Sequence, residues 1–208
     1  MKYIIMCGGY VCTWEKPKHL WKYKGTPILK RTVDMLKKYG AKDIVITTGK
    51  ELVETYSKFG VEVIEHESNN SPYYWVDCFY RVDEPVCYIF GDVVYSAKAI
   101  KTIMNTETDD IEFFASAPPF APNYPKPYAE PFAFKVVDTE RFFECVEQTR
   151  WYDAHNYFNR DAIAWELWQV IKHTPLNIIN YNNYTIINDY TCDIDWEYEM
   201  AQWDKKTT

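Results

Sequence analysis

Short apolar runs that stop at a glycine or a polar residue, each followed by a helix-forming stretch, recur through the first hundred residues and leave few folds open. Residues 3–7 run into Gly8-Gly9, residues 43–47 are mostly β-branched, residues 61–65 predict a third strand, and residues 85–90 stop at Gly91-Asp92. Runs this short and apolar read as strands buried on both faces. Between the first two, residues 27–39 set Ile28, Leu29, Val33 and Leu36 on one face and Lys30, Arg31, Lys37 and Lys38 elsewhere. A proline near the start and Gly40 just past the end complete the pattern of an amphipathic helix. Residues 49–59, 72–82 and 96–104 predict further helices, the last capped by Ser96. Strands and helices alternating at this spacing define an α/β protein: a Rossmann-like, three-layer α/β/α domain with a mostly parallel central sheet.

The second half is less regular. It predicts strands at 111–117, 132–137 and 184–188, helices at 139–148 and 161–172, and a short helix from about residue 196. A proline-rich loop fills 117–127. No repeat or linker divides the 208 residues, so a single domain is expected over 1–208, and 47% apolar content is enough for a sizeable core. The net charge of −7, with no basic block, argues against gripping nucleic acid or an anionic membrane through bulk charge. Any phosphate must then be met locally. The N-terminal apolar run is too short for a signal-peptide core, and no stretch approaches the ~20 apolar residues of a membrane span. The six cysteines stand singly, with no CxxC pair, which reads as reduced thiols in a cytoplasmic protein. His19, His66, His155 and His173 show no ligand spacing, and none is assigned to catalysis.

Ligands of an open parallel sheet bind beyond the carboxyl ends of its strands, where the strand order reverses. Three polar features fall at such ends. After Cys7, Gly8 and Gly9 let the backbone approach a phosphate or base, and Lys16 and Lys18 follow with cations; an ordinary tight turn with solvated lysines is the plainer alternative. Asp92, directly beyond the strand at 85–90, is placed to hold Mg2+ or simply to cap the next helix. Asp193 and Asp195 fall on one side if their segment is extended; either is a candidate second ligand, and either a helix cap.

Taken in order, Cys7-Gly8-Gly9, Pro17-Lys18-His19-Leu20 and Gly25-Thr26-Pro27-Ile28-Leu29 resemble the opening of the nucleotidyltransferase superfamily, which activates sugar phosphates, phosphocholine and related alcohol phosphates with an NTP and includes molybdopterin guanylyltransferases. Asn69-Asn70-Ser71 is similar to its base- and ribose-contacting segment, Gly91-Asp92 to its metal-binding aspartate, and Asp193-Ile194-Asp195-Trp196-Glu197 to its closing motif, where Asp195 matches the metal ligand. The resemblance is close over residues 1–96 and moderate over 185–203, whereas the middle matches only in outline. In the glycine-rich loop, Val11 stands at the third glycine position and Thr13 at the arginine position.

The resemblance implies attack of a substrate phosphate on the α-phosphorus of an NTP, with Mg2+ as cofactor. It divides the sequence into a nucleotide-binding half (1–96), an acceptor-binding part (97–184) and a closing strand and helix (185–208). Lys18, Asp92 and Asp195 would be catalytic, with Asp92 and Asp195 on the metal. Cys7, Gly8, Gly9, Lys16, Asn70 and Ser71 would meet the nucleotide. Lys126, Tyr128 and Glu130 would meet a small phosphorylated acceptor, with Trp151, Tyr152 and Tyr157 as aromatic neighbours. A homodimer and a role in nucleotide-sugar biosynthesis are further expectations from family habit. Two rival readings are a GT-A glycosyltransferase, whose usual mid-chain Asp-x-Asp is replaced here by Gly91-Asp92-Val93-Val94, and a non-catalytic nucleotide- or metabolite-binding relative.

Overall fold

The computed structural model describes residues 1–8, 17–66, 74–118 and 128–194. The N-terminal apolar run forms β1 (Lys2–Cys7), and a short hairpin, β2 (Lys22–Tyr23) with β3 (Thr26–Pro27), leads into α1 (Ile28–Lys38). Pro27 precedes the first turn of α1 and Gly40 follows it at φ 99°, a backbone state open to a residue without a side chain. Strand β4 (Ile44–Thr48) follows, then a 3-10 turn and α2 (Val53–Ser57), β5 (Glu62–Glu65), β6 (Val86–Phe90), β7 (Val93–Val94) and α3 (Ala97–Asn105). The remaining elements are β8 (Ile111–Ala115), β9 (Pro131–Val136), α4 (Thr139–Ala154), α5 (Ala164–Ile171), β10 (Thr185–Ile186) and β11 (Cys192–Asp193).

Seven strands make the central sheet in the order β10-β8-β9-β6-β1-β4-β5. All run parallel to β1 except β9, which is antiparallel to both β6 and β8. The backbone moves outward from β1 to β4 and β5, then returns to the other side of β1 with β6. The order therefore reverses between β1 and β6, whose register pairs Met6 with Phe90 and sets their carboxyl ends side by side. One buried core runs through the sheet and the helices packed on it, and it is dense in aromatic contacts: Phe113 stacks on Phe134 at 4.4 Å and Tyr88 on Phe142 at 5.6 Å. Trp165 and Trp168 are buried in it, and each indole N–H is satisfied by a backbone carbonyl, of Ala129 and Asn182.

Several expected elements change. The helix expected at 72–82 is, in its described part, only a 3-10 turn over Trp75–Cys78, flanked by extended Tyr74 and Phe79. The extended exit seats the Phe79 ring at 5.1 Å from both Tyr88 and Phe142, and that burial outweighs a helix in which aromatics lose rotamer freedom. The stretch at 49–59 splits into a 3-10 turn and the five residues of α2. In the opposite direction, α4 runs to Ala154, six residues past its expected end. The helix expected from residue 196 and most of the proline-rich loop lie outside the described residues. No helix among those described is long and apolar enough to cross a membrane. Cys7, Cys78, Cys87, Cys145 and Cys192 are free thiols.

Candidate active site

A cavity of about 490 Å³ opens where the strand order reverses. Gly8 from the end of β1, Asp92 from the end of β6 and Lys18 from the intervening 3-10 turn line it together. Lys18 Nζ stands 3.5 Å from Asp92 Oδ2, with both side chains partly covered. Residues 74 positions apart in sequence thus form a cation–carboxylate pair at the mouth of two buried parallel strands. The helix-cap alternative for Asp92 does not hold, because Ser96 Oγ accepts the Ala99 N–H at 2.8 Å and caps α3.

Gly91 is what lets this corner close. Its N–H continues the ladder to the Met6 carbonyl at 3.0 Å, and a Cβ there would lie 2.6 Å from that oxygen and 2.4 Å from Cys7 Sγ. Beneath the pair sits His19, 4% exposed, with Nδ1 bonded to the Tyr56 hydroxyl at 3.0 Å. Burial pulls its pKa down to about 4; Asp92 opposes that shift and Lys18 adds to it. The ring is therefore a neutral support for the turn that carries Lys18. Cys78 lines the cavity and Cys7 does not; burial pushes the pKa of both thiols up, so neither is poised as a thiolate.

The C-terminal segment closes the site. Strand β11 pairs antiparallel with β7, setting Asp193 opposite Val93, and the Ile194 N–H reaches the Asp92 carbonyl at 3.4 Å. Asp193 lines the cavity with Asp92. Two carboxylates completed by phosphate oxygens are a donor set that suits a small, hard divalent cation such as Mg2+. Among the described residues no group of three or more His, Cys, Asp or Glu side chains could hold a metal on protein ligands alone. Asp195 lies outside the described residues, as do Gly9, Lys16, Asn70, Ser71 and Lys126.

Tyr128 and Glu130 line the other side of the cavity. The Glu130 N–H donates to Ser116 Oγ at 2.8 Å and its carbonyl accepts the Ser116 N–H at 2.9 Å, which holds the entry to β9 against the end of β8. Trp151, Tyr152 and Tyr157 do not line it. The overrun of α4 carries them to a separate aromatic group, in which Tyr157 stands 5.4 Å from Trp151 and 5.2 Å from Tyr152. Arg160 and Trp165, neither among the expected site residues, also line the cavity. No spacing signal marks Arg160, whose partner Glu166 lies six residues on, across the start of α5.

The three-layer sheet carries a lysine–aspartate pair at its switch point, and comparison with known proteins assigns the family. Residues 3–134 match the family described as the MobA-like NTP transferase domain, and this protein belongs to that family. Three solved structures share the fold. The 4-diphosphocytidyl-2C-methyl-D-erythritolsynthase of Anaerococcus prevotii is similar at 10% identity and a TM-score of 0.63, over 99% of this protein and 95% of that one. The inositol-1-phosphate CTP transferase of T. maritima is similar at 15% identity and 0.60, over 99% and 96%. HddC from Yersinia pseudotuberculosis, complexed with GMP-PN, is similar at 13% identity and 0.57, over 100% and 99%. Comparison with curated proteins found no match.

Proposed function

We propose that this protein, acting as one unit over residues 1–208, transfers a nucleoside monophosphate from an NTP to a phosphorylated small molecule, a sugar phosphate or an alcohol phosphate such as phosphocholine, and releases pyrophosphate. The observation that carries the reading is the Lys18–Asp92 pair, 3.5 Å apart on the wall of a cavity at the switch point. Neighbours named for CTP transfer to inositol 1-phosphate and for a diphosphocytidyl product lend it support.

An acceptor phosphate oxygen attacks the α-phosphorus, and the bond from that phosphorus to the bridging oxygen of pyrophosphate breaks. The acceptor is already ionised near neutral pH, so no strong general base is required, and alignment and charge balance do most of the work. Lys18 neutralises charge that builds on the phosphate oxygens. The Gly8 and Gly9 backbone and Cys7 border the nucleotide, Lys16 adds a second cation, and Asn70 and Ser71 offer donors and acceptors to base or ribose. Asp92, with Asp193 or Asp195, is the site for Mg2+, which when bound supplies Lewis-acid neutralisation of the phosphates. Lys126, Tyr128 and Glu130 face the acceptor.

The test is thermal shift with CTP, UTP, GTP, ATP and dTTP, each with and without Mg2+, followed by pyrophosphate release with candidate acceptors. A native-state ligand at 100 times its Kd raises stability by about 2.7 kcal/mol, well within reach of the method. A Mg2+-dependent shift with one nucleotide is the expected result. No shift with any of them, and no pyrophosphate, would leave the non-catalytic alternative standing.

A further inference from the structure

The turn that carries Lys18 holds little on its own. It is three residues of 3-10 helix, Lys18–Leu20, closed by two backbone bonds: from the Leu20 N–H to the Pro17 carbonyl at 2.9 Å and from the Trp21 N–H to the Lys18 carbonyl at 3.0 Å. Such turns have poor hydrogen-bond geometry and stay short. The one buried residue of this turn is His19. What fixes Lys18 against Asp92 is therefore what fixes His19.

His19 is held from two sides. Its Nδ1 is bonded to the Tyr56 hydroxyl at 3.0 Å, across 37 positions of sequence, with the two rings edge-on at 6.0 Å. Among the described residues Tyr56 has no other hydrogen-bond partner, so the phenol donates to Nδ1 and the imidazole carries its proton on Nε2. On the other side, a Cβ on Gly91 would lie 3.2 Å from His19 Cδ2, so the ring rests against the residue before Asp92. One imidazole thus belongs to the Lys18 turn and touches the Asp92 corner. Tyr56 itself comes from α2, is fully buried, stacks on Phe59 at 6.0 Å and does not line the cavity. A buried hydroxyl is costly unless it is bonded, and packing alone would be served by phenylalanine.

We propose that Tyr56 is a positioning residue of the transfer reaction: acting through His19, it sets the reach of Lys18 relative to Asp92 without touching substrate. The proposal rests on the nucleotidyl-transfer reading and deepens it. With the hydroxyl gone, Nδ1 loses its proton donor inside a buried site, and the ring turns or shifts toward another. That shift passes to Lys18, the neighbouring residue of the same turn, and to Asp92 through Gly91. A misplacement of about 1 Å can cost about 10²-fold in a step that depends on alignment. Contacts that other groups make to nucleotide and acceptor stay in place, so the loss falls on kcat rather than on KM.

The experiment compares pyrophosphate release by the full-length protein and its variants, using the NTP and acceptor that give turnover. Tyr56→Phe should lower kcat at least tenfold and leave both KM values within threefold. Tyr88→Phe, which removes an equally buried ring's hydroxyl bonded to the Tyr80 carbonyl at 2.7 Å, is the control and should keep kcat within twofold. His19→Asn can still accept the Tyr56 proton and should turn over faster than His19→Leu; this pair stands in should Tyr56→Phe not fold. A second readout needs no turnover. Lys18, whose side chain is 17% exposed beside Asp92, should be acetylated by limiting acetic anhydride at least threefold faster in Tyr56→Phe, with Lys30 on α1 as the unchanged reference. A kcat within twofold of wild type in Tyr56→Phe, an equal loss in Tyr88→Phe, equal turnover in the two His19 variants, or unchanged Lys18 acetylation overturns the assignment while nucleotidyl transfer stands. No pyrophosphate from the wild-type protein with any pair removes the transfer reading and this role of Tyr56 with it.

Discussion

Gly91→Ala tests the geometry on which the site depends. The added methyl would sit 2.6 Å from the Met6 carbonyl oxygen and 2.4 Å from Cys7 Sγ, both well inside contact distance. The conformation at Gly91 is not left-handed, so the strain is steric. Overpacking of this kind costs about 1–3 kcal/mol, and pushing the strands apart also weakens the Gly91–Met6 bond, for about 1 kcal/mol more. A total near 2–4 kcal/mol should lower the urea midpoint by about 1 M at unchanged slope. Adding Cys7→Ala to that variant removes the sulfur contact and leaves the backbone one, so the double variant should recover less than half of the loss after the cost of Cys7→Ala alone is subtracted. Asp92 is the next residue, so pyrophosphate release should fall even at temperatures where the variant stays folded. A midpoint unchanged in Gly91→Ala, or complete recovery by Cys7→Ala, would refute the close approach of β1 and β6 described above.

Asp92→Asn should abolish at least about 99% of pyrophosphate release, in line with the ~10²–10³-fold losses seen on removing one electrostatic contributor. The same change should alter stability by no more than about 1 kcal/mol, since the pair with Lys18 is partly solvated and screened; wild-type turnover in that variant removes Asp92 from the mechanism. Stability of the metal-free protein should decline as pH falls from about 6.5 to about 4, because the unfolded protein protonates His19 over that window and the buried native ring does not. The contribution is about 3 kcal/mol and levels off below pH 4; His19→Gln should remove this part of the profile, and identical pH dependence in the two proteins would assign the loss to other groups. Ser96→Ala takes away the cap on α3 and the 2.6 Å bond to Asp189, and should cost about 1–2 kcal/mol in urea unfolding.

What could be read from the sequence follows from what periodicity encodes. Strands β1, β4 and β6 are buried along nearly their whole length, so β1 and β6 appear as apolar runs and β4 as a β-branched one. Gly8 lies directly beyond the end of β1 and Asp92 two residues beyond the end of β6, where the rule for parallel sheets expects a ligand. Lys18, eleven residues past Cys7, is marked instead by the Pro17-Lys18-His19-Leu20 match. The direction of β9 was not legible, because burial alternation is the same in a parallel and an antiparallel strand. Nor was the loss of the helix at 72–82, where the deciding term is the pocket that Tyr88 and Phe142 offer to Phe79. Arg160 escaped for a similar reason: its place at the cavity depends on a buried carboxylate six residues away, and Ile163, where a capping serine or aspartate would have flagged the start of α5, carries no such signal.

The reversed strand has a functional consequence. In a wholly parallel sheet every strand delivers its carboxyl end to the ligand side, and the amino ends face the opposite edge. Because β9 is antiparallel to β6 and β8, with Ala133 paired to Ile89 and Pro131 to Ala115, its amino end stands among the carboxyl ends of its neighbours. The residues that enter β9, from Tyr128 to Pro131, therefore border the same cavity as Gly8 and Asp92. Helix α5 is drawn to that rim by the Trp165 bond to Ala129, and Glu166 brings Arg160 with it. A single change of direction thus brings the entry to β9 and the carboxyl ends of β1 and β6 to one cavity. The two sides of the cavity hang on different strands joined through the β6–β9 ladder, so a substitution at Glu130 is expected to leave the Lys18–Asp92 pair in place.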